Sequence, residues 1–224
     1  MTSKRNDSLP MISPDLSIIS KIMITMKTIV YFHGFASSSQ SGTIAYITKE
    51  MPECRIVAPD IPVDPNEALP FLKDFCAVNK PDLVIGTSMG GMYAMQQTDY
   101  PRICVNPALR MSEQKEILKP GTFEYFHPTA DGRTHFIVTD ETIQHFKEME
   151  QHMFDGITEE NKAKCWGFFA DGDTTVNCKS EFSEHFDNVF DFHGEHRMNN
   201  KVMRDIIIPF IRNILSQEKE SLQK

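Results

Sequence analysis

Six short apolar runs punctuate the chain from Lys27 onward: Thr28–Phe32, Arg55–Ala58, Asp82–Ile85, Arg102–Val105, Cys165–Phe169 and Asn188–Phe192. Each is rich in β-branched or aromatic residues and continuous rather than alternating, the pattern of strands buried on both faces. The stretches between them carry a helical period. Asp64-Pro65-Asn66-Glu67 reads as an N-cap, a proline in the first helical position and a capping-box glutamate, with Leu69, Leu72, Phe75 and Cys76 on one face behind it. Phe182 and Phe186 lie one turn apart in a second helix. Val202, Ile206, Phe210 and Ile214 form an i, i+4 stripe near the C-terminus that Pro209 should kink.

Strands alternating with helices predict an α/β fold, a mostly parallel, doubly wound six-stranded sheet with helices on both faces. Residues 107–161 break the rhythm. They separate the fourth and fifth strands and hold a polar, aromatic-dotted loop from Gly121 to Arg133 and one amphipathic helix over roughly Asp140–Phe154. An insertion of that size reads as a cap over the carboxyl edge of the sheet. Residues 26–224 are therefore expected to form one domain with a cap at about 107–161. Residues 1–25 read as an N-terminal tail or as sequence upstream of a start at Met23 or Met26.

Composition narrows the classes of partner. Among 224 residues, 31 acidic and 23 basic side chains give a formal net charge of −8, which argues against nucleic acid and anionic membranes as ligands. No run of roughly 18 apolar residues is present, so no membrane span is expected. Five scattered cysteines without a C-x-x-C pair argue against a disulfide framework or zinc cluster and fit a cytoplasmic protein.

The chemistry gathers behind the strand ends. Gly86-Thr87-Ser88-Met89-Gly90-Gly91 follows one strand and precedes a helix, the setting of a nucleophile elbow. There a strained turn presents the serine, and the residues two positions either side must be small to avoid collision with it, a demand that Gly86 and Gly90 meet. A serine hydroxyl needs a histidine base oriented by a carboxylate, and the chain order serine, acid, histidine is available. The loop after the fifth strand offers Asp173, with Asp171 as the alternative acid. The loop after the sixth offers His196, while His193 reads as a hydrogen-bonded strand-end residue. His193-x-x-His196 lacks a third ligand at suitable spacing, so no metal is expected. An oxyanion hole would use the backbone N–H groups of Met89 and Phe35, with Gly34 permitting the turn and His33 holding the loop. The Ser37 to Ser41 run reads as a solvated loop and helix cap, and Glu148 and Glu150 as a solvated face. Trp166 reads as buried in its strand. Gly34, Asn106, Tyr125, Phe126 and Met149 are the candidate lining of a substrate pocket.

Taken together, Tyr31-Phe32-His33-Gly34-Phe35, the elbow, Asn106-Pro107-Ala108-Leu109-Arg110, Gly172-Asp173 and Gly194-Glu195-His196-Arg197 resemble the α/β-hydrolase superfamily. Within it, the chain is similar to the small bacterial esterases of YqiA/YcfP type, and the Asn-Pro-Ala-Leu-Arg stretch is what narrows the resemblance. The resemblance implies hydrolysis of an ester or acyl thioester by Ser88, Asp173 and His196 without a cofactor, by a monomer or weak homo-oligomer. Two other readings share the same residues: an acyltransferase, and a non-catalytic binding module on a hydrolase scaffold. With no basic cluster near the elbow, a strongly anionic substrate such as an acyl-CoA would find little electrostatic help, which favours neutral esters.

Overall fold

The computed structural model describes residues 26–221. The tail expected over residues 1–25 lies outside them. Strands β1 (Lys27–Phe32), β2 (Cys54–Val57), β3 (Leu83–Thr87), β4 (Arg102–Val105), β7 (Cys165–Ala170) and β8 (Val189–Phe192) form one sheet in the order β2-β1-β3-β4-β7-β8. Every pairing in it is parallel. Chain order reverses at β1, so the crossovers place helices on both faces, as the apolar runs predict.

Alternation along β1 shows how the core divides. Val30 and Phe32 point to one face, where they pack with Leu72 and Cys76 of α2 (Pro65–Asn79), Met92 of α3 (Met89–Met95) and Phe182 of α6 (Lys179–His185). Ile29 and Tyr31 point to the other, against Ile47 of α1 (Gly42–Glu50) and the C-terminal helical segment. Each fully buried side chain of this size contributes about 1.5–3 kcal/mol of transfer free energy, so two continuous layers hold the sheet. Helix α2 starts where the pattern places it, although the Asp64 side chain caps the N–H of Asn66 rather than that of Glu67.

The C-terminal segment departs from the expected simple kink. It comprises α7 (Asn200–Val202), a π turn (Met203–Ile207) and α8 (Ile208–Ser221). Pro209 has no N–H for an i−4 carbonyl, and the wider turn just before it, closed by Ile208 N–H on Met203 O, absorbs that loss. The extra residue rotates the apolar stripe. Val202 and Ile214 are buried as expected, whereas Met203, Ile207 and Ile211 take the places of Ile206 and Phe210, which are only half-buried. Trp166, expected to be buried, is also half-buried, its ring edge-on to Phe210 at the sheet margin.

The segment between β4 and β7 is more structured than the pattern suggests. A hairpin of β5 (Gly121–Glu124) and β6 (His135–Val138) takes in the start of the expected loop. Pairing satisfies its backbone, and Phe123 stacks on Phe136 at 5.6 Å. Helix α4 (Asp140–His152) begins at a Thr139/Thr142 capping box, and a short α5 (Glu159–Ala163) follows that periodicity does not reveal. Polar contacts tie α4 to segments distant in sequence. His145 Nδ1 meets Asp64 Oδ2 at 2.8 Å, and Glu150 accepts from Ser112 N–H and Oγ at 2.8 and 2.6 Å. Glu150 is thus buried rather than part of a solvated face, and burial raises its pKa.

Arg102, the first residue of β4, is wholly buried. Its guanidinium donates to the carbonyls of Met95, Tyr100 and Asn161, joining the end of α3 to α5. Cys165 and Cys178 are buried thiols and are not bridged, and Cys165 Sγ lies 4.0 Å from Cys104 Sγ. Among the described residues, no helix is long and apolar enough to cross a membrane.

Candidate active site

Ser88 stands between β3 and α3 with φ 56° and ψ −123°, a left-handed conformation in which an L-residue is strained. The surrounding backbone holds it there. Ser88 N–H donates to Val105 O, and Ser88 O accepts from the N–H groups of Met92 and Ala108. The flanking glycines are required, for a reason other than the serine side chain. A Cβ on Gly86 would lie 2.0 Å from Gly90 O, and one on Gly90 would lie 2.2 Å from Phe32 O. What they permit is the close approach of the elbow to itself and to β1.

The loops after β7 and β8 meet the elbow at the carboxyl edge of the sheet. His196 Nε2 is 3.0 Å from Ser88 Oγ, and His196 Nδ1 is 2.7 Å from Asp173 Oδ2. The other Asp173 oxygen accepts from the N–H groups of Thr175 and Val176 at 2.8 and 2.9 Å. The Asp173 side chain is 5% exposed and that of His196 17%. Asp171, the alternative acid, lies elsewhere. It is exposed and binds His193 Nδ1 at 3.1 Å and Gly194 N–H at 3.2 Å, bonds that hold its carboxyl below the usual range.

The loop after β1 closes over the serine. A Cβ on Gly34 would come within 3.3 Å of Ser88 Cβ, so glycine lets this loop lie close against the serine. His33 pins this loop: its Nε2 accepts from Ile61 N–H at 3.1 Å, which leaves Nδ1–H to donate to Gly34 O at 2.8 Å. Burial pushes the His33 pKa down, in keeping with a neutral ring. Among the described residues, neither Phe35 N–H nor Met89 N–H finds a hydrogen-bond acceptor; Met89 follows Ser88 in the chain, and Phe35 follows Gly34, which lies against it. Tyr31 Oη bonds Thr87 Oγ1 at 2.8 Å beneath the elbow, and burial raises its pKa to about 12.

A cavity of about 1050 Å³ opens above these groups. Phe35, Phe123, Ile117 and Phe126 give it an apolar side, and Thr174, Thr175 and Ser37 a hydroxyl-bearing one. Its charged lining is Glu116, Glu124, Glu195 and Arg197, and the Arg197 guanidinium lies 4.8 Å over the Phe126 ring. Of the expected pocket residues, Gly34 and Phe126 line this cavity, whereas Asn106, Tyr125 and Met149 do not. Tyr125 turns its ring onto Phe136, Met149 is buried on the core side of α4, and Asn106 is buried among the strand ends. The Ser37 to Ser41 run is not a solvated loop either. Ser38 is fully buried and donates to Pro128 O, while Asp60 accepts from Ser39 N–H and Ala130 N–H, tying this loop to the one after β5. Sequence reasoning missed Ile117, Phe123 and Arg197 as lining residues. The first two reach the cavity only because the hairpin and the turn before it fold back over the sheet edge.

Solved structures share this architecture. A putative hydrolase from Agrobacterium vitis S4 superposes with a TM-score of 0.58 at 16% identity, covering 84% of this chain and 88% of its own. Est1E from Butyrivibrio proteoclasticus gives 0.59 at 14% identity, with 85% and 89% covered. The esterase domain of a Rhodothermus marinus protein gives 0.55 at 16% identity, with 79% and 81% covered. The fold is that of the α/β hydrolases. The model of the uncharacterised protein family UPF0227 matches residues 28–206, which take in the elbow and the loops after β7 and β8. The chain therefore belongs to UPF0227, the YqiA/YcfP-type group that its motifs resemble.

Proposed function

We propose that the protein is a serine hydrolase that cleaves carboxylic esters through an acyl-enzyme. The observation that carries this reading is the continuous chain from Asp173 Oδ2 through His196 to Ser88 Oγ, at 2.7 and 3.0 Å. The Asp173 carboxylate accepts from Nδ1–H, so the Nε2 lone pair faces the serine hydroxyl, the tautomer a general base needs. As Ser88 Oγ attacks the acyl carbon, its proton passes to Nε2 and the carbonyl π pair moves onto oxygen. The unpartnered N–H groups of Phe35 and Met89 receive that oxyanion, a contribution worth about 3–4 kcal/mol per donor in such sites. Collapse of the intermediate breaks the bond to the leaving alkoxide, which takes the proton from Nε2. A water then repeats the sequence on the acyl-enzyme, His196 accepting its proton, and frees the acid and Ser88.

The segment from β4 to β7 acts as the cap. It supplies Glu116, Ile117, Phe123, Glu124 and Phe126 to the cavity while the reacting groups come from the sheet edge. Three lining carboxylates against one guanidinium, in a chain of net charge −8, favour a neutral ester over a polyanionic thioester such as an acyl-CoA. The Rhodothermus marinus relative is named an esterase domain, which agrees with this substrate class.

The test is a panel of p-nitrophenyl esters together with a fluorophosphonate probe. Turnover of the esters and labelling at Ser88, both abolished in Ser88→Ala, are expected. An unlabelled wild-type protein inert across short, medium and aromatic acyl groups would sink the reading and leave a binding module.

A further inference from the structure

Asn106 follows β4 directly and adopts φ 43°, a left-handed conformation that asparagine tolerates better than most residues. Its side chain is buried, and every polar atom of the amide is engaged. Oδ1 accepts from Ala170 N–H at 2.8 Å, at the end of β7 where the loop to Asp173 begins. Nδ2 donates to Glu195 O at 3.3 Å and to His196 O at 3.0 Å. The amide orientation is fixed by these partners, since an N–H faces Oδ1 and two carbonyls face Nδ2. The next residues reach the third loop: Ala108 N–H donates to Ser88 O at 3.0 Å, and Pro107 packs against the place where a Gly91 Cβ would stand, at 3.1 Å.

We propose that Asn106 is a positioning residue that sets the spacing of the acid, histidine and serine loops, with Pro107 and Ala108 completing the bracket. It touches no substrate. It acts through the backbone of His196 and Ala170, and its catalytic consequence rests on the reading of Ser88, Asp173 and His196 given above. The residue type follows from the geometry. Aspartate would turn an oxygen toward two carbonyls, glycine would leave all three partners unbonded, and a branched apolar residue could not hold the backbone angle without strain.

Asn106→Gly keeps the permitted backbone and removes only the side chain, and Asn106→Asp keeps the acceptor for Ala170 N–H while losing both donors. Each variant is assayed with p-nitrophenyl acetate and with a fluorophosphonate, below the melting temperature of the least stable protein as followed by circular dichroism. Displacing a base by a fraction of an ångström to 1 Å predicts a fall in kcat of about 10- to 100-fold with KM within about 3-fold. The rate of fluorophosphonate labelling falls in parallel. Either variant, folded and with wild-type kcat and labelling rate, overturns the proposal, whatever its melting temperature. A wild-type protein that neither labels nor turns over overturns the hydrolase reading and this proposal with it; a labelled wild type beside an equally labelled variant overturns this proposal alone.

Discussion

The Arg197 guanidinium lies 4.8 Å over the ring of Phe126, so the loop that carries His196 and the turn after β5 are in contact across the cavity. Phe126 is 61% exposed, and an apolar ring left this open at a cavity wall is available to a substrate. Phe126→Ala should raise KM for aromatic acyl esters several-fold and change KM for acetyl esters much less. An exposed cation–π contact and one ring face are worth about 0.5–1.5 kcal/mol, which sets that scale. Steady-state kinetics on matched acetyl and benzoyl esters reads the difference, and equal KM changes for the two would remove Phe126 from substrate binding.

The two aspartates of the loop after β7 make a sharp contrast. Asp173 is bonded to His196, while Asp171 is bonded to His193 and Gly194. Asp173→Asn should lower kcat/KM by about 10³- to 10⁴-fold, because an amide in place of the carboxylate favours the wrong imidazole tautomer. Asp171→Asn should leave kcat/KM within about twofold, since a surface substitution away from the reacting groups perturbs little. The two kinetic measurements together decide which acid serves His196.

His145 joins α4 to the N-cap of α2. Its hydrogen bond with Asp64, aided by the charges of Asp64, Glu141 and Glu148, raises its pKa above the ordinary 6.5. A raised folded-state pKa contributes stability that is complete below the unfolded value and is lost as pH rises through the folded one. His145→Gln should therefore lower the melting temperature more at pH 5.5 than at pH 9. A deficit that is the same at both values would show that the charged form of His145 gives no stability.

Buried Arg102 offers a test of stability away from the site. Arg102→Met fills much of the same volume but leaves the carbonyls of Met95, Tyr100 and Asn161 without donors. Unsatisfied buried acceptors predict a loss of about 2–4 kcal/mol, read by urea denaturation, with kcat unchanged in the folded fraction.

The sheet was legible because both-face burial writes strands as continuous apolar runs, and all six of them fall within a residue or two of the expected places. The elbow was legible because its steric demand appears directly as Gly86, Ser88 and Gly90. What escaped was set by contacts distant in sequence. The hairpin strand Gly121–Glu124 exists through pairing with His135–Val138 and through Phe123 on Phe136, neither of which shows in local periodicity. Glu150 reads as solvated on a helical wheel until Ser112 arrives from another segment to bond it. Asn106 is visible as a residue, but its partners at Ala170 and His196 lie 64 and 90 positions away. The π turn before Pro209 put Ile207 and Ile211 in the core in place of Ile206 and Phe210, while Val202 and Ile214 stayed buried, a shift that a 3.6-residue period has no means to express.

The division of labour around the cavity has an evolutionary consequence. Ser88, Asp173 and His196 stand on loops of the parallel sheet, whereas the apolar wall made by Ile117, Phe123 and Phe126 belongs to a segment whose two ends leave and rejoin the sheet at the neighbouring strands β4 and β7. Length added or removed between the hairpin and β7 falls outside the sheet and outside the loops that carry Ser88, Asp173 and His196. On the proposed reading, the wall can be recut for another acyl group while those three loops keep their framework.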